Sequence, residues 1–147
     1  MSHATRLMAG LILVLVPTIQ FGGYFLLTSL IDRDSGYMAN ALRQNFFRAG
    51  HAHAGVITLL SLICQPFVDA TRLSPAWRWF VRIGVPVSGT LISAGFFFSV
   101  LSPAATEPNR AISLIYIGAV GLAVSVVSLG IGLLRARGRE PGEPVHG

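Results

Sequence analysis

Lysine is absent from this chain of 147 residues, and charge of either sign is scarce, at 12%. A soluble domain carries about 25%. With 52% hydrophobic residues, the chain cannot solvate its own surface, so lipid is expected as part of its solvent. Cysteine occurs once, at Cys64, which excludes an intrachain disulfide and reads as a small core residue. No Asp, Glu or Lys lies inside the long apolar stretches. Proton relays and ion-coupled carriers place ionisable side chains there, so the absence counts against a carboxylate-driven pump. No stretch alternates with the strand period, which excludes an outer-membrane barrel. No basic face carries stacking aromatics, and a nucleic-acid partner is excluded with it.

Four long apolar runs are what the chain does have. Each approaches the roughly 20 residues needed to cross a bilayer as a helix. They predict helices over about 7–31, 46–68, 78–101 and 111–134. The expected fold is all-α: an integral membrane four-helix bundle, one domain over 1–136, with both termini cytoplasmic. The Gly/Pro-rich, charged stretch 137–147 is expected to be a disordered cytoplasmic tail. The first run continues past Pro17 to Leu30, beyond the roughly 7–15 apolar residues of a secretory signal, and reads as a retained helix.

Sidedness follows from arginine. With the N-terminus inside, Arg6, Arg72, Arg78, Arg82, Arg135, Arg137 and Arg139 face the cytoplasm, and Arg33, Arg43, Arg48 and Arg110 face out. That bias obeys the positive-inside rule, and Trp77 and Trp79 fit an aromatic belt at the inner interface. The expected location is the inner or plasma membrane, multi-pass. Asp34 and Ser35 are plausible caps ahead of the second helix. Gln20, after Pro17, is expected to reach a partner across the bundle. Gly84 and Ser88, Gly121 and Ser125, and Ser128 and Gly132 are each four apart, a spacing that lets helices approach closely.

One stretch carries candidate chemistry: FFRAGHAHAGVITLL, 46–60. His51 and His53 are the only histidines within the predicted spans. A neutral imidazole ligates metal or haem iron. Residues two apart on a helix, however, point about 200° from each other, so one ion does not take both rings unless the helix unwinds between Gly50 and Gly55. One inward histidine and one facing elsewhere is the simpler arrangement. Ala49, Gly50, Ala52, Ala54 and Gly55 clear bulk around both rings. That clearance admits a planar macrocycle, or simply a close helix crossing in which Tyr116, Thr28 and Ser99 satisfy the imidazoles.

GHAHAG running into an apolar helix resembles the histidine-bearing helix of the haem-copper oxidase subunit I superfamily, and small four-helix membrane proteins related to it. The likeness spans about 48–62. It implies His51 or His53 as axial ligand to haem, or less readily as a copper ligand, with Arg48 pairing a propionate or lipid phosphate and Tyr116 in support. It also implies a role in electron transfer, gas sensing or assistance to a respiratory complex, at an interface with a second copy or a respiratory-complex partner. The third and fourth helices contain no histidine, which sets aside oxygen or nitric oxide reduction by this chain alone and leans away from an enzyme. Two rival readings stand beside it. One is a cofactor-free accessory membrane subunit whose histidines pack helices. The other is a small transporter.

Overall fold

The computed structural model describes residues 1–136. The expected tail 137–147 lies outside the described residues. Four long helices follow one another antiparallel: α1 (His3–Ile31), α2 (Ala41–Asp69), α3 (Pro75–Ser99) and α4 (Ser113–Ala136). No strand occurs among the described residues. All four helices are long and apolar enough to cross a membrane.

Caps explain the helix starts. Ser2 accepts from Thr5 N ahead of α1, Asn40 from Arg43 N ahead of α2, and Ser74 from Trp77 N ahead of α3, where Pro75 takes the first helical position. Each side-chain oxygen satisfies an amide that has no partner within its helix. Asn40, not Asp34 or Ser35, therefore starts α2, five residues before the expected boundary at 46. Asp32 and Ser35 instead shape the preceding linker, accepting from Asp34 N and Tyr37 N. Gly36 turns that linker with φ of 67°, a left-handed conformation that side chains disfavour.

The bundle is a rhombus. α2 and α3 pack along its short diagonal, α1 lies mainly against α2, and α4 mainly against α3; α1 and α4 make no contact among the described residues. The main core runs along the diagonal, with Ile57, Cys64, Val68, Val81, Val85 and Ile92 joined by Leu129 from α4. At the end where α2 begins, Phe47 packs among Tyr37, Phe97 and Phe25.

The α3–α4 crossing is built from the small-residue pairs. A Cβ on Gly84 would collide with Ser125 Oγ, one on Gly121 would stand 2.7 Å from Ser88 Oγ, and one on Gly118 would stand 2.8 Å from the Ser88 carbonyl oxygen. Close backbone approach of this kind is the main attraction between helices where no hydrophobic effect operates.

Candidate functional site

α2 is an unbroken helix through 41–69, so the backbone does not unwind at Gly50 or Gly55. His51 and His53 consequently line different clefts, one on each side of the α2–α3 diagonal. They do not come together, and no group of three or more metal-ligating side chains occurs among the described residues. One ion therefore does not take both rings, as their spacing on a regular helix implied.

His51 faces α1. Its ring Cε1 and Nε2 lie 3.3 Å from where a Cβ on Gly23 would stand, and its Nδ1 lies 3.5 Å from that of Gly22. Two consecutive glycines thus hollow α1 to receive the imidazole. The same ring borders a cavity of about 340 Å³ between α1, α2 and α3, together with Ala54, Thr58, Gly89, Ser93 and Phe97.

His53 faces the other way, into a groove of about 560 Å³ between α2, α3 and α4. Its Nδ1 lies 2.7 Å from the Ala49 carbonyl oxygen, one helical turn back. A carbonyl only accepts, so Nδ1 carries the proton, and in the neutral ring Nε2 is left as a lone pair. The ring lies over Phe96, with centroids 5.1 Å apart. Every other residue lining this groove is apolar, including Ile92, Ile115, Ala119, Leu122 and Ala123. An imidazole with one nitrogen tied to a backbone carbonyl and the other open is the arrangement that ligating histidines adopt.

The supporting residues fall elsewhere. Tyr116 is 64% exposed and lines neither cleft, because Gly118 occupies the α3 contact and the larger ring is carried round to the outer face. Arg48 is exposed and donates to Gln44 Oε1 at 3.3 Å. Five residues from His53, it stands about 140° away around α2 and does not face the groove. Thr28 and Ser99 spend their hydroxyls on the carbonyls of Phe25 and Phe96, so neither satisfies an imidazole. Gln20 is exposed, contrary to its expected reach across the bundle.

The buried glutamine is Gln65, part of a polar cluster that the sequence reading did not single out. Arg82, expected on the cytoplasmic side, is 3% exposed. It donates to Thr5 Oγ1 at 2.9 Å, to the Gln65 carbonyl at 3.0 Å and to Asp69 Oδ1 at 2.5 Å. Asp69 Oδ2 also accepts from Ser2 N and Thr5 Oγ1. The cluster ties the N-terminus of α1 to the α2–α3 turn. The available signal was the spacing of Val85, Ser88, Gly89 and Ile92 on α3, which one turn back from Val85 falls on positions 81 and 82.

The chain matches no family model, no curated protein and no solved structure.

Proposed function

We propose that this is an integral membrane protein that holds haem in the α2/α3/α4 groove, with His53 Nε2 as the single axial ligand. The observation that carries the reading is the His53 ring: Nδ1 pinned to Ala49 O, Nε2 free, in a groove otherwise lined by apolar side chains. The volume of about 560 Å³ falls within the roughly 300–1,000 Å³ of small-molecule sites. The resemblance of 48–62 to a haem-ligating helix supports the same assignment. Bound haem would supply electron transfer or gas binding. This chain offers one axial nitrogen on an exposed side chain and an open groove of apolar residues, so a sixth ligand would have to come from solvent, a second copy or a respiratory-complex subunit. A copper site has no second ligand in either cleft and is not carried further.

The bundle is proposed to span the inner or plasma membrane with both termini in the cytoplasm and His53 toward the outer side. Arg82 and Arg43 are spent inside the fold. Setting them aside leaves Arg6, Arg72, Arg78, Arg135, Arg137 and Arg139 against Arg33, Arg48 and Arg110, which preserves the bias. A reporter fused at Gly147 should report cytoplasm.

The test of the haem reading is the absorption spectrum of protein purified in detergent from haem-supplemented cells. A Soret band of five-coordinate character is expected. No Soret band overturns the reading. His51 is left out of the haem site and packs against Gly22 and Gly23.

A further inference from the structure

The cleft between α1, α2 and α3 takes no part in the haem reading, yet it contains an unsatisfied polar group. Ser93 is 9% exposed, and its hydroxyl has no hydrogen-bond partner among the described residues. A hydroxyl in an apolar helix ordinarily bonds a carbonyl one turn back, as Thr90 does to Pro86 and Thr18 to Leu15 in the same cleft. Ser125 also lacks a partner, but it is pressed against Gly84 and its burial is explained by packing. Ser93 differs because open volume lies beside it.

His51 borders the same volume. Gly50 meets Phe96 and Phe97, and Ile57 meets Gly89, which fixes the relative heights of α2 and α3. On that register His51 stands about 4 Å above Ser93 along the bundle, at 1.5 Å per residue. The two groups therefore lie less than one helical turn apart in height on the same cavity. Gly22, Ala54, Gly89 and Ala94 line the cavity with little bulk, and Phe97 borders it near His51. The cavity accordingly suits a flat, apolar body with hydrogen-bond acceptors at its edge.

We propose that this cleft binds the ring of a membrane-soluble quinone. One carbonyl oxygen accepts from the Ser93 hydroxyl and the other from the His51 N–H, while the isoprenoid tail runs along α1 into the lipid. An acyl chain would fill the volume but leave the Ser93 hydroxyl unpaired, at the cost that a buried unpaired group carries. The proposal shares the bilayer placement and the Ile57 wall with the haem reading but uses neither His53 nor the interior of its groove.

The test is isothermal titration of the full-length protein in nanodiscs with a decyl-substituted benzoquinone, set against decylbenzene, which has the tail and a flat ring but no acceptor. Saturable quinone binding is expected, with decylbenzene much weaker. Ser93→Ala, which removes one oxygen, should weaken quinone binding roughly two- to tenfold, the effect of one net hydrogen bond. Ala94→Phe, which fills the cleft, should abolish it. His53→Ala should leave the titration unchanged whatever it does to a Soret band, so failure of one reading is separable from failure of the other. Absence of saturable quinone binding, equal affinity for decylbenzene, or wild-type affinity in Ser93→Ala overturns the proposal.

Discussion

The guanidinium of Arg82 lies 2.5 Å from Asp69 Oδ1 while only 3% of its side chain is exposed, against 28% for the aspartate. The two partners are therefore unequal. Removing the carboxylate strands a buried cation, whereas removing the guanidinium leaves Asp69 with Ser2 N, Thr5 Oγ1 and solvent. Asp69→Asn should destabilise the bundle by about 3 kcal/mol, the lower end for a stranded buried charge, and Arg82→Met by less. Arg82→Lys should fail to restore stability, because an ammonium does not reproduce the fork that reaches Thr5, Gln65 and Asp69 together. Thermal unfolding in detergent checks the order.

At the opposite end, Arg43 is 8% exposed and donates to the carbonyls of Val100 and Leu101 at 3.2 and 3.5 Å, with its guanidinium over Phe47. It ties down the carbonyls immediately after α3, while Asn109 takes those of Phe98 and Ser99. Arg43→Met should raise hydrogen exchange across 100–109 and at the end of α3 while leaving α1 protected. Uniform acceleration along the chain would contradict this local role.

The glycines divide into two tolerances. A methyl on Gly118 meets the Ser88 carbonyl at 2.8 Å, which is backbone and cannot step aside. Gly118→Ala should cost about 1–3 kcal/mol, as overpacking does. A methyl on Gly23 meets the edge of the His51 ring at 3.3 Å, and a ring shift of a few tenths of an ångström accommodates it. Gly23→Ala should be close to neutral, and Gly23→Leu should not.

The histidines should separate in the same experiment. His53→Ala should eliminate the Soret band with little loss of stability. His51→Ala should keep the band and lower the unfolding temperature, since it empties the hollow at Gly22 and Gly23. Equal loss of the band from both variants would contradict the division of the rings between two clefts.

The four helices were legible because hydropathy marks them, whereas their starts were not, because the caps at Ser2, Asn40 and Ser74 set those. The opposed directions of His51 and His53 were legible because they follow from helical rotation. The facing of individual residues was not. Gln20 and Gln65 each lie near a proline in an apolar helix, and only Gln65 is buried. Where lipid is as apolar as the core, hydrophobic periodicity does not distinguish inward from outward. Tyr116 and Gln20 were misplaced for that reason. The glycine–serine pairs at four-residue spacing gave the better guide, because Gly84 and Gly121 do meet Ser125 and Ser88 across the helix crossing.

Ile57 borders the clefts of both His51 and His53, and presses its Cγ2 to within 2.7 Å of a Cβ position on Gly89. The party wall between the two compartments is thus one aliphatic side chain thick at that point. Its rotamer is common property: an occupant that pushes it from one side alters the space on the other. Ile57→Ala would knock the two rooms into one.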